Sequence, residues 1–191
     1  SKLALDGKGE EVKSQLIRAI RLVGVITIPS AVAFLLFGPL ITEVIFIGIP
    51  INDARYIGLV LSALSFGLVA FSINLILIRG FNAFEDTKTQ VLSILIINIV
   101  SVGLSYFFLY FLDNQWVTVG LGVAFSISYL VGLWVTLALL KKHIGVLKLR
   151  EFAGQHLRLF VASFLVMLPL FAIVEYISWS GFALNQIQRA G

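Results

Sequence analysis

Arg79-Gly-Phe-Asn-Ala-Phe-Glu-Asp-Thr-Lys-Thr-Gln90 is a short polar island between two long apolar runs. Tyr56 to Ile78, before it, and Val91 to Leu112, after it, hold Leu, Val, Ile, Phe and small residues and no charge. A helix needs roughly 20 such residues to cross a bilayer core. The island therefore reads as a tight turn at a membrane surface, and the rest of the chain can be placed from it. Thr87-Lys-Thr-Gln90 fits a capping box, with Thr87 capping the following helix and Gln90 reaching back.

The totals agree with that reading. The 191 residues are 59% hydrophobic and 13% charged, with a mean hydropathy of +1.02. A soluble domain of this size would have too little polar surface to cover such a core. The net charge of +4 does not point to nucleic acid, because the basic residues flank apolar runs rather than gathering on one element. With no cysteine, disulfides and thiolate metal sites drop out. Ser1-Lys-Leu-Ala-Leu-Asp-Gly-Lys-Gly9 has no signal-peptide pattern, and the chain is expected to be a piece of a longer protein.

Working outward, residues 1–15 form a polar lead-in, with Asp6-Gly-Lys-Gly9 as a loop. Apolar spans are expected at about 16–36, 56–78, 91–112, 117–140 and 157–179, and residues 180–191 form a tail or connection. Pro29 and Pro169 fall mid-span and should kink their helices, which bilayer helices tolerate when neighbours satisfy the freed carbonyls. Gly38-Pro39 is expected to break the first run, leaving Leu40 to Ile49 as an extension or interfacial segment. Pro50 to Asp53 reads as a loop, and Ile144 to Gln155 as a polar connection. Gly120, Ala124, Ser128, Gly132 and Thr136 recur every four residues. They make a ridge where another helix backbone can approach closely.

Orientation follows from Lys and Arg. Lys2, Lys8, Lys13, Arg18, Arg21, Arg79, Lys88, Lys141, Lys142, Lys148, Arg150 and Arg158 fall on one side; Arg55 and Arg189 fall on the other. The positive-inside rule makes the first side cytoplasmic, with the N-terminus inside and the C-terminus outside. Tyr110, Trp116, Tyr176 and Trp179 then lie at the outer ends as an aromatic belt.

No enzyme signature appears: there is no Gly-rich phosphate loop, no His-Glu-x-x-His and no facing pair of carboxylates on a span. His143 and His156, without a third ligand, read as residues of a solvated basic connection rather than a metal site. Arg18 and Arg21 share one helix face. They are either interfacial anchors that reach headgroups or part of a path for an anionic substrate. Glu175, near the outer end of the last span, is an interface carboxylate, or else an ion-coupling or groove residue on that path. Asn74 and Asn98 are expected to hydrogen-bond between helices. Asp86 either caps the third span or pairs with Arg79 or Lys88, or else serves a moving gate.

Phe81-Asn-Ala-Phe-Glu-Asp-Thr-Lys-Thr-Gln90 resembles the Phe-Tyr-Ala-x-x-Asp-Thr-Arg/Lys-Thr-Pro signature of the MurJ/MviN lipid II flippases, part of the multidrug, oligosaccharidyl-lipid and polysaccharide exporter superfamily. Phe81, Ala83, Asp86, Thr87, Lys88 and Thr89 match; Asn82 and Gln90 depart from it. Arg21-Leu-Val-Gly-Val-Ile-Thr-Ile-Pro-Ser-Ala31 and Gly120-Leu-Gly-Val-Ala-Phe-Ser-Ile-Ser-Tyr-Leu130, with Lys141-Lys142 beyond, are similar to two further family stretches. The Ser-Tyr-Leu-Val-Gly run looks most like actinobacterial members.

The expected fold class is thus all-α, a polytopic transmembrane bundle of about five spans. The resemblance makes it the later part of the second lobe of a two-lobe flippase in the bacterial inner membrane. It implies that an undecaprenyl-diphosphate-linked peptidoglycan precursor moves outward by alternating access during cell-wall synthesis, with no cofactor. Implied partners are that lipid, the surrounding membrane lipids, the N-terminal lobe and a cytoplasmic regulatory domain of the kind actinobacterial relatives carry. The family's cavity arginines lie in earlier helices and do not map onto these residues. Two other readings remain open from the sequence: a polysaccharide or drug exporter of the same superfamily, and a membrane scaffold that recruits wall-synthesis or regulatory partners.

Overall fold

The computed structural model describes residues 2–147 and 150–190, with side chains for 9–147 and 153–177. Five helices follow one another: α1 (Lys2–Ile45), α2 (Ile51–Ala83), α3 (Thr87–Phe111), α4 (Val117–Ile144) and α5 (Arg150–Ala190). All five are long and apolar enough to cross a membrane. Lys2, Lys8, Lys148, Arg150, Arg189 and Trp179 fall outside the described side chains.

The helices are longer than the apolar runs suggest, and each extension has a local cause. Asp6 to Gly9 is helix, not loop. Gly9 is buried, and a Cβ there would lie 3.0 Å from the His143 carbonyl oxygen; packing against α4 outweighs the weak helix preference of glycine. Gly38-Pro39 does not break α1, which runs through both prolines to Ile45. Here α2 crosses so closely that a Cβ on Gly58 would sit 2.3 Å from the Pro39 Cα. Hydroxyls serve the carbonyls around the proline: Ser62 donates to Phe34 O at 2.9 Å, and Thr42 lies 3.0 Å from Gly38 O and 2.7 Å from Ala54 O of α2. A proline is tolerated inside a bilayer helix under these conditions.

Pro50 to Asp53 is not a loop. Pro50 stands immediately before the first turn of α2 and its carbonyl accepts from Asp53 and Ala54 N–H at 3.0 and 3.1 Å. At the polar island α2 continues through Ala83, so the turn shrinks to Phe84-Glu85-Asp86, with Glu85 at φ 56°. Past Leu140, α4 takes in Lys141, Lys142 and His143, and the two lysine cations suit the negative end of a helix. It stops at Gly145, whose φ of 67° suits glycine. The stretch expected as a connection from Ile144 to Gln155 is shorter, since α5 starts at Arg150.

Packing makes a row: α5 lies on α1, α1 on α2, α2 on α4 and α4 on α3. Among the described residues, α5 packs on α1 and on no other helix. The tightest apolar cluster joins Leu16 and Ile20 of α1, Ile73, Leu77 and Phe81 of α2 and Leu140 of α4. It sits at the end of the row that carries the α2–α3 turn.

Candidate functional site

The turn between α2 and α3 is the most elaborated polar feature. Asp86, not Thr87, caps α3: its Oδ1 accepts the Thr89 backbone N–H at 3.1 Å. Two capping residues stand side by side in the sequence, and the chain enters the helix one residue earlier than the capping box requires. The second oxygen, Oδ2, lies 2.8 Å from His143 Nε2 on α4. Asp86 therefore pairs with neither Arg79 nor Lys88 but with a histidine 57 positions away. His143 is not a residue of a solvated loop. It lies in the last helical turn of α4, half-buried, stacked on Phe84 with ring centres 4.8 Å apart and planes 13° from parallel. The Thr89 side chain, then His143, then the Thr89 N–H hold the Asp86 carboxyl down from 3.8 to about 2. Each of these hydrogen bonds favours the ionised form. Of the signature residues, Phe81 is fully buried in the apolar cluster, while Thr87 and Lys88 face outward.

Arg18 and Arg21 stand exposed on α1. With Glu10, Lys13, Ser14 and Ile17 they line a polar groove of about 370 Å³. Lys13 Nζ lies 3.6 Å from Glu10 Oε1. The first described turns of α5 lie alongside: Gln155 Nε2 donates to the Arg21 carbonyl at 3.4 Å. The His156 ring covers Gly24 so closely that a Cβ there would be 2.6 Å from Nε2. Further along α1, a second cavity of about 450 Å³ opens between α1, α2 and α5, walled by residues such as Ile28, Val32, Leu35, Phe66 and Phe160.

At the opposite end, Glu175 of α5 shares a small cavity of about 160 Å³ with Glu43 of α1 and Arg55 of α2. Glu43 and Arg55 are ion-paired through the arginine Nε. Sequence reasoning singled out Glu175 but not this pair, whose members are 12 positions apart on either side of the α1–α2 turn. Arg18 and Arg21 are thus brought together, and Glu175 lies at the other end of the molecule.

The interior polar groups divide. Asn74 is fully buried and links α2 to α4: its Nδ2 donates to Tyr129 O at 3.1 Å, and its Oδ1 accepts from Thr136 at 2.7 Å. Ser93 of α3 joins the same network, 2.6 Å from the Thr136 hydroxyl. Asn98 makes no such link. It is exposed and donates to Ile94 O of its own helix at 3.0 Å, because α3 turns that face away from α4. Gly120, Ala124, Ser128 and Gly132 are all buried. A Cβ on Gly132 would fall 2.4 Å from Ile97 of α3. A second row of small residues, missed in the sequence, lies on α2, where a Cβ at Gly67 would come 2.5 Å from the Ser126 Cα. Pro29 and Pro169 both lie inside their helices.

No curated protein and no solved structure matches the chain. A family model described as lipid II flippase MurJ matches residues 1–187. That match runs through all five apolar helices and the Asp86 turn, so the chain belongs to the MurJ lipid II flippase family.

Proposed function

We propose that the chain forms part of the second lobe of a flippase that carries a diphosphate-linked peptidoglycan precursor across the inner membrane by alternating access, in the service of cell-wall synthesis. The observation that carries this reading is the family match over residues 1–187, which takes in nearly the whole sequence. The packing supports it. A chain of helices in which α5, among the described residues, is attached through α1 alone can tilt at that contact while α2, α3 and α4 stay joined by the Asn74–Thr136–Ser93 network. Alternating access consists of such rigid-body rocking. In this proposal the α2–α3 turn and the end of α4 are cytoplasmic, the Asp86–His143 contact belongs to a cytoplasmic gate, and the α1–α2 and α3–α4 turns lie outside. Arg18, Arg21 and Glu175 stand at the two membrane faces, where a substrate enters and leaves.

The test is transport of a fluorescent lipid II across vesicles containing the full-length protein. Lipid II should move and a lipid-linked polysaccharide repeat unit should not. Transport of the polysaccharide carrier, with lipid II left behind, would make the protein an exporter of the wider superfamily. Transport of neither lipid would favour a scaffold.

A further inference from the structure

The end of the bundle opposite the Asp86 turn carries a second set of charges. Glu43 of α1, Arg55 of α2 and Glu175 of α5 wall one small cavity, with Pro39 and Phe171 beside them. Two of these helices are fastened to each other here. Glu43 is ion-paired to the Arg55 Nε. Thr42 donates to the Ala54 carbonyl of α2 at 2.7 Å, and Gly58 lets α2 rest against Pro39. α5 is not fastened in this way. Among the described residues it packs on α1 alone, and none of residues 153–177 is buried. Glu175 is its only charge between Arg158 and Ile177, and makes no hydrogen bond or ion pair with another described residue.

α5 also has a place to bend. Pro169, inside the helix, lacks the N–H that would bond the Leu165 carbonyl, and prolines are a usual origin of helix kinks. Glu175 lies six residues further on, about 9 Å along the axis. Between the two, Phe171 meets Phe37 of α1 edge-on with ring centres 5.8 Å apart, a contact about which the segment can turn. Arg55, across the cavity, has room for a second partner. A guanidinium presents five N–H donors in a planar fork. Glu43 engages it through Nε, and the arginine side chain is 52% exposed.

We propose that Arg55 is a latch for α5. When the part of α5 beyond Pro169 swings toward α2, Glu175 closes the cavity onto the terminal nitrogens of Arg55, and the guanidinium then bridges both carboxylates. The inference rests on the alternating-access reading, in whose orientation this is the outer end, and it gives Glu175 its task there. In the structure the cavity of about 160 Å³ separates the two groups. With the latch closed, α5 is tied to α2 as well as to α1, and the gap between them is shut while substrate loads from the cytoplasmic side. An exposed ion pair is weak, so the latch can open in every cycle; a buried pair broken by removing a partner would cost far more.

The experiment is a pulsed electron–electron distance measurement on the full-length protein in lipid nanodiscs, with spin labels at Asn52 and Tyr176, both exposed. The wild type should show a long and a short distance. Glu175→Gln should shrink the short population about fivefold, the upper end for an exposed ion pair. Glu43→Gln should leave it in place or enlarge it, because Arg55 then has one carboxylate to serve instead of two. A single distance in the wild type, or a short population untouched by Glu175→Gln, overturns the proposal. So does its equal loss in Glu43→Gln, which would mean that the charges only hold the outer end together. Transport of fluorescent lipid II by the same samples keeps the two readings apart. Lipid II transport with no Glu175-dependent distance removes the latch and leaves the flippase; a Glu175-dependent distance without lipid II transport keeps the latch and removes the cargo.

Discussion

Asp86 shows how far a single residue could be read. The polar island and the aspartate within it announce a turn at a membrane surface, and an N-cap is among the roles the sequence allows. Which of Asp86 and Thr87 caps α3 depends on how α2 ends, and α2 ends late because Phe81 is buried against α1 and α4. The His143 contact was not legible at all, since nothing local connects residues 57 apart. The contact makes a pH prediction with a definite sign. The folded carboxyl is held below its ordinary value, so its contribution to stability is present above about 4 and is lost as pH falls through the interval from 3.8 to about 2. Thermal melts of the purified full-length protein and of Asp86→Asn, which can still cap, should differ at about pH 5 and converge by about pH 2. A gap that stays constant over that interval would mean the charge has no stabilising partner in the folded state. Asn74 makes the parallel case inside the membrane. It serves two groups on α4, and Asn74→Leu should cost about 1 kcal/mol, measured by unfolding in detergent. Asn98→Leu should cost almost nothing, because its bond stays within its own helix.

At the scale of elements, the long apolar runs located all five helices but stopped short of their ends. Hydropathy reports what hydrocarbon tolerates; it does not report where backbone hydrogen bonding ceases. Pro39 illustrates the difference: a rule about proline in isolation predicts a break, and the close crossing of Gly58 with hydroxyls from Thr42 and Ser62 removes the reason for one. The small residues of α4 were visible because they repeat every fourth position. Those of α2 were not, because Gly58 and Gly67 are nine apart and meet different helices, Pro39 of α1 and Ser126 of α4. The contacts rank the consequences. At Gly58 and Gly67 the nearest atoms are backbone, which cannot swing away. At Gly120 they are the side chains of Leu112 and Phe108, which can. Gly67→Leu should therefore destabilise at the upper end of the roughly 1–3 kcal/mol expected for overpacking, and Gly120→Leu at the lower end. Val131→Leu, on the exposed face of α4, should be near neutral. Equal losses at all three positions, in the same detergent unfolding assay, would mean that helix approach does not limit stability here.

The whole molecule is judged by what its spans lack. Residues 22–42, 56–78, 91–112, 117–140 and 159–174 contain no Asp, Glu, Lys or Arg. A diphosphate in hydrocarbon without paired cations is costly by several kcal/mol, so a path for it needs cations that these stretches do not contain. Alternating access also needs a second body to rock against. Residues 1–191 alone, inserted in vesicles, are therefore expected not to move fluorescent lipid II, while the full-length protein does. Single reporter fusions in the full-length protein should first fix the frame, with Glu85 and Lys141 cytoplasmic and Asn52 and Asn114 outside; Asn114 on the cytoplasmic side would invert the gate assignment. Within that frame, Asp86→Ala separates a gate from a cap. It releases α3's cap and the α4 histidine together. If the turn only holds helices in place, transport should fall in proportion to the fraction of protein folded. If the contact must form and break in each cycle, the transport rate per folded molecule should fall further than stability does, and His143→Gln should shift the rate in the same direction with α3's cap intact. A fragment that transports at the full-length rate would remove the need for a second lobe, and with it the reason to place a gate at this turn.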